Sequence, residues 1–167
     1  MFFVNELIGF GASSERILGG IITGGTNIGD MTAGGNLAAA FDGNTNQNGG
    51  ASAQKATSTD VYVGKTISRR VFKGIFYGSN NFGYVNGINP TVTLALMGKT
   101  GSAPANSADG TEFGTLSFTD TANESGNPRT VTATDNETLW EHIWVRITHD
   151  GAANNMYCAE AQFYQAV

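Results

Sequence analysis

At 167 residues with 40% apolar content, the chain can bury one sizeable core and is short for two, so a single domain is expected. Charged residues are only 14% against about 25% in an average soluble domain, glycines number 23, and the net charge is −5. That balance, with only Arg69, Arg70 and Lys73 close together, excludes a nucleic-acid surface, which draws its affinity from clustered Lys and Arg.

Met1-Phe2-Phe3-Val4 starts apolar, but it lacks a basic flank and meets Asn5 and Glu6 early, so neither a signal peptide nor a membrane insertion is read. Glycines interrupt every candidate element through residue 35. Residues 1–35 are therefore expected to form an irregular Gly-rich N-terminal arm that packs on the domain's own edge or attaches to a neighbouring subunit. Residues 36–167 are expected to form the folded domain. Ala38 to Phe41 lead into the turn Asp42-Gly43-Asn44 and then a polar loop to about Thr59.

Val61–Lys65 and Val71–Tyr77 are rich in β-branched and aromatic residues and read as strands, followed by the turn Gly78-Ser79-Asn80-Asn81. Thr91–Met97 alternates with period two, as does Thr115–Thr119, while Gly98 to Gly110 between them reads as a long loop. Arg129–Thr134 is a weaker strand. The strongest runs from Leu139 to His149, with Leu139, Ile143, Val145 and Ile147 on one parity and Glu141 as the exception among them. Met156–Tyr164 reads as one final strand. Seven or eight strands without a convincing amphipathic helix point to an all-β sandwich or jelly roll.

Several of these pieces resemble, in order and separation, the discoidin-like or galactose-binding-like (F5/8 C-type) jelly roll of coagulation-factor domains and many carbohydrate-binding modules. They are Ala39-Ala40-Phe41-Asp42-Gly43-Asn44, Tyr62-Val63-Gly64-Lys65, Ile75-Phe76-Tyr77-Gly78-Ser79, Trp144-Val145-Arg146-Ile147 and Ala159-Glu160-Ala161-Gln162-Phe163-Tyr164. The resemblance implies that the first turn meets the final strand and that a structural calcium ion staples them. Its oxygen ligands would come from Asp42, Asn44, Gln47 and Glu160 and from the carbonyls of Ala39 and Ala159; Gln47 replaces the family's usual Thr or Ser. Bound to no metal, Asp42 would cap its own turn.

The combination is also similar to surface proteins of tailed phages and gene transfer agents. It implies a virion structural protein, a head decoration, spike or tail-fibre component on the particle surface, homo-oligomeric and joined to other virion proteins through the N-terminal arm. Host polysaccharide is the expected ligand, with an accessory carbohydrate-binding module of a polysaccharide-acting enzyme as the alternative. Phe82 and Tyr84, following a turn, and Trp144, flanked by His142 and Arg146, are the candidate ligand-binding aromatics, with cover by a loop or by the second layer of the sandwich as the alternative for Trp144.

No catalytic motif is visible. Glu137 and Glu141 lie four apart on a strand or turn, where that spacing does not bring them to one side, and two histidines are too few for a three-His zinc site within one chain. The chain is therefore read as non-enzymatic. Cys158, the sole cysteine, can form no internal disulfide and reads as a small buried thiol.

Overall fold

The computed structural model describes residues 18–87, 89–121 and 127–166. Among them, strands dominate and every ladder is antiparallel, in the jelly-roll manner. A five-stranded sheet has β5 (Asp60–Arg69), β10 (Trp140–His149) and β7 (Thr91–Lys99) at its centre, flanked by β2 (Thr26–Gly29) beside β5 and β8 (Thr111–Thr119) beside β7. A four-stranded sheet runs β1 (Leu18–Ile21), β12 (Glu160–Ala166), β6 (Val71–Tyr77), β9 (Arg129–Thr132). A small third sheet joins β11 (Asn154–Cys158), β4 (Ala53–Ser58) and β3 (Ala33–Gly34). One short helix, α1 (Asn36–Ala39), precedes the turn at Asp42.

Alternation explains the core. Val61 and Val63, Val92, Leu94 and Leu96, and Ile143, Val145 and Ile147 occupy one parity of the three central strands and are fully buried. They share a cluster with Val71, Phe76, Val131 and Phe163 of the four-stranded sheet. Burying each such side chain is worth about 1.5–3 kcal/mol, and Phe76 and Phe163 meet edge to face at 5.7 Å.

The structure departs from the sequence reading in four places. Residues 1–17 of the expected arm lie outside the described residues, but 18–34 belong to the sandwich: β1 pairs with β12, β2 with β5 and β3 with β4. These strands are glycine-rich, and their partners, not their own side chains, fix them. The polar stretch to Thr59 contains β4. The expected final strand is two: Cys158 pairs with Ala53 in the small sheet and Glu160 with Tyr77 in the four-stranded one, the chain changing sheets at Ala159. Burial on both sides of the crossing made the run read as continuous.

The fourth departure is in β10. Its register shifts between Trp140 and His142, so the parity that holds from Ile143 onward does not extend back to Leu139. Trp140 turns inward and stacks on Phe113 at 5.3 Å, while Leu139 is 52% exposed. The bulge thereby removes Glu141 from the apolar side, and its carboxylate accepts a hydrogen bond from the Gly101 N–H at 2.7 Å.

Candidate functional site

The turn at Asp42 and the start of β12 meet at one end of the sandwich. Ala161 N–H donates to the Ala40 carbonyl at 2.8 Å, and Gly43 N–H donates to Glu160 Oε2 at 3.1 Å. Gln47, 4% exposed, reaches the same point: its Nε2 lies 2.6 Å from Asp42 Oδ2 and 3.4 Å from the Ala39 carbonyl, and its Oε1 is buried without a partner. Asn44 faces its own turn, its N–H donating to Asp42 Oδ1 at 2.8 Å and its Oδ1 accepting from Asn46 N–H at 3.1 Å. Ala159 is buried, its N–H donating to the Tyr77 carbonyl.

Of the six residues implied as calcium ligands, Asp42, Gln47, Glu160 and the Ala39 carbonyl converge. The donor set fits a hard cation, all oxygens once the Gln47 amide turns by half a rotation to place its orphaned Oε1 between Asp42 and Ala39. Among the described residues no group of three or more His, Cys, Asp or Glu side chains could hold a metal, so amide and carbonyl oxygens would have to complete the shell. Burial pushes the Glu160 carboxyl up to about 7; the charge of Asp42 adds to the rise, and the Gly43 N–H, Gln162 and Lys65 oppose it.

Beside this junction lies a cleft of about 320 Å³, walled by Ile21, Ile22 and Phe41 and reaching Asp42, Lys65, Glu160 and Gln162. Lys65 continues the core-facing parity of Val61 and Val63, yet it is a lysine and only 8% exposed. Its ammonium donates to Asn27 Oδ1 at 3.0 Å and sits 4.3 Å over the Phe41 ring. Burial pulls it below the usual lysine range, with Glu160 opposing. The sequence reading passed Lys65 over as an ordinary strand residue; the signal available was its place in the apolar parity.

The 78–84 loop packs on the 46–50 loop at the same end. Asn80 N–H donates to the Gln47 carbonyl at 2.7 Å, and Gly49 N–H to Asn81 Oδ1 at 2.8 Å. Phe82 is half-buried and stacks on Tyr157 with ring centroids 5.4 Å apart. In these loops and the turn before them, the amide oxygens of Asn44, Asn48 and Asn81 accept from the backbone N–H groups of Asn46, Ala51 and Gly49. All three residues are exposed. Pinning each oxygen inward turns the NH₂ donors outward. Asn48 and Asn81 were not singled out in the sequence.

The other two candidate aromatics are interior. Tyr84 is 2% exposed and packs edge-on against Phe118 at 5.5 Å. Trp144 is fully buried on the outer side of the five-stranded sheet with Tyr62, Ala95 and Met97, and its Nε1–H donates to the Ser107 carbonyl at 2.7 Å. The 100–110 loop covers it, anchored by Lys99 to Asp109 at 2.7 Å and by His142 Nε2–H to the Gly101 carbonyl at 2.9 Å. A ring this large gains more from burial than it offers as a platform, and the long loop supplies the cover.

His142 Nδ1 meets Thr66 Oγ1 at 2.9 Å, and His149 bonds the Ser58 carbonyl and Gly151 N–H, so both imidazoles are committed within the chain. Cys158 is buried, its thiol pushed up by burial and bonded to the Glu160 carbonyl at 3.6 Å. Glu137 is exposed, and Glu141 is tied to Gly101.

No protein-family model matches the chain, and no curated protein matches it. Solved structures do. A fucolectin from striped bass (Morone saxatilis) serum superposes with a TM-score of 0.60 at 15% identity, over 89% of this chain and 49% of that one. Truncated AlyQ, with CBM32 and alginate lyase domains, gives 0.54 at 17% identity over 90% of this chain and 34% of that one. An F5/8 type C domain from Bacteroides fragilis gives 0.54 at 14% identity over 89% and 97%. This chain thus spans about half the length of the fucolectin chain and about a third of the AlyQ chain. The fold is the galactose-binding-like jelly roll.

Proposed function

We propose that this jelly roll is a non-catalytic carbohydrate-binding domain whose glycan contact is the face formed by Phe82, Asn44, Asn48 and Asn81. The observation that carries the reading is a half-exposed phenyl group in a loop pair whose exposed Asn44, Asn48 and Asn81 have their side-chain oxygens held by backbone N–H groups, which leaves their NH₂ donors available. Sugar hydroxyl and carboxyl oxygens accept from such donors, and the apolar face of a pyranose ring stacks on an aromatic. The fold is shared with a fucolectin and with a module joined to an alginate lyase domain, which supports the same reading. A glycan array followed by titration calorimetry tests it: Phe82→Ala and Asn81→Ala should each weaken the best ligand by about tenfold, one lost stacking or hydrogen-bonding contact. Unchanged affinity in both variants would move the site elsewhere, and an array with no binder would end the reading.

A calcium-class cation is proposed to staple the 42–47 turn to β12, supplying positive charge among Asp42, Glu160, Gln47 and the Ala39 carbonyl. These residues hold the turn that carries Asn44 and Asn48, so the staple would serve the glycan face by fixing its frame.

The proposed setting is a virion surface, with the domain as a homo-oligomeric head decoration, spike or tail-fibre component that sums weak contacts to host polysaccharide. The sequence resemblance set out above supports it. Mass spectrometry of purified particles tests it, and absence of the chain from them would sink it. The accessory-module reading is favoured by one observation, that the same fold occurs beside a lyase domain in AlyQ. A polysaccharide-acting enzyme co-purifying with the chain would decide for it.

A further inference from the structure

The cleft at the β1–β12 edge is separate from the Phe82 face and has a different chemistry. Its walls, Ile21, Ile22 and Phe41, are apolar, and Ile21 is 45% exposed although it is a large aliphatic side chain. Its lining also includes a lysine, Lys65, and two acidic residues, Glu160 and Asp42. A lysine at a core-facing position loses hydration for which a purely structural role would normally give it a full ion pair. Lys65 instead has one hydrogen bond, to Asn27, and a ring beneath it. An ammonium has three N–H donors, so beyond the bond to Asn27 and the contact with the Phe41 ring at least one is left for the cleft.

Within the cleft this combination selects against small anions and small organic cations. A small anion that suits Lys65 meets Glu160 and Asp42, and a small organic cation that suits the carboxyls meets Lys65. A neutral hydroxylated ring satisfies both, because each hydroxyl accepts from the ammonium and donates to a carboxyl oxygen, while its C–H face lies on Ile21 and Ile22. A carboxylate has acceptor capacity for a cation and a hydroxyl together. About 320 Å³ is at the low end of ligand sites, which run from about 300 to 1,000 Å³. That suits one ring and not a chain.

We propose that this cleft is a second site, for a neutral polyol of single-pyranose size, with Lys65 donating to one hydroxyl and Glu160 and Asp42 accepting from its neighbours. It extends the carbohydrate reading but rests on different residues. The test is amide NMR of the full chain titrated with methyl α-D-glucopyranoside, methyl β-D-galactopyranoside and methyl α-D-mannopyranoside, with sodium acetate as the anion control. At least one glycoside should shift the amides of Ile22, Thr23, Gly24, Gly43 and Gln162, and should do so equally in Phe82→Ala. Lys65→Met and Ile21→Asp should each weaken that response by about tenfold or more, the loss of a charge-assisted hydrogen bond or of the apolar wall. Ile21 is exposed, so its variant decides the matter if Lys65→Met does not fold.

Shifts confined to the 44–49 and 80–84 amides would overturn the second site and leave the Phe82 face standing. Shifts confined to the cleft would do the reverse. Acetate shifting the cleft amides as strongly as the glycosides would overturn the assignment to a neutral polyol, and silence from all three glycosides at the cleft would remove the site.

Discussion

Glu160 keeps a carboxyl group in surroundings that favour its neutral form, because burial raises it from its ordinary 4.5 to about 7. The folded state therefore holds a proton that the unfolded chain releases above about 4.5, and stability falls as pH rises between about 4.5 and about 7. In cation-free buffer this slope should amount to at most about 3 kcal/mol, and Glu160→Gln, neutral throughout, should lack it. The variant should then melt above the wild type at pH 8 and alongside it near pH 4.5. Calcium should reverse the order at pH 8 by binding the ionised wild-type carboxyl alone. Identical melting profiles for the two proteins, with and without calcium, would show that the carboxyl carries no such strain and holds no cation.

At the scale of elements, the 100–110 loop is the outer layer of the five-stranded sheet. Trp144→Ala should cost about 3–5 kcal/mol, the range for emptying a large aromatic site. Trp144→Phe removes the bond to Ser107 and the outer part of the indole that packs on Gly110. It should cost about 1–3 kcal/mol and speed hydrogen exchange at Gly101 and Ala105, whose N–H groups bond Glu141 and Asp109. Exchange unaltered there would mean the loop is held without the indole. Gly64 lies directly across from Trp144, where a Cβ would run into the Ile143 carbonyl and the Trp144 side chain. Gly64→Ala should cost about 1–3 kcal/mol by overpacking, measured by denaturant unfolding.

Central strands could be read from the sequence because their own side chains dictate them: Thr91–Met97 alternates and has one buried face. The edges could not, since Leu18–Ile21 and Thr26–Gly29 take their conformation from β12 and β5. The same division runs through the candidate site. The meeting of the Asp42 turn with Glu160 was legible as a resemblance. A covered Trp144 is legible from the size of its ring; burial of Tyr84 is not, because it depends on Phe118, a ring far away in sequence. Lys65 was legible in principle from parity.

Across the whole molecule, β1, β2 and β3 tie residues 18–34 to all three sheets. A chain starting at Asn36 would leave β12 and β5 as bare edges, which invite pairing between molecules. It should elute as aggregate in size-exclusion chromatography and lose its cooperative melt. A monomeric, cooperatively melting fragment would show these strands to be ornamental.

The β1–β12 ladder also has a mechanical consequence. Leu18 pairs with Ala166 and Ile21 with Tyr164, so the two ends of the described chain leave the sandwich side by side, while Glu160 and Tyr77 mark the far end, where the Phe82 loop lies. Tension drawn between the two chain ends would peel β1 from β12 bond by bond, like a zip. Tension from the chain ends to the Phe82 loop would instead run along β6 and β12 and load their ladder in shear, many bonds at once. A domain tethered at its ends and gripped at its loops would thus be pulled along its stiff direction.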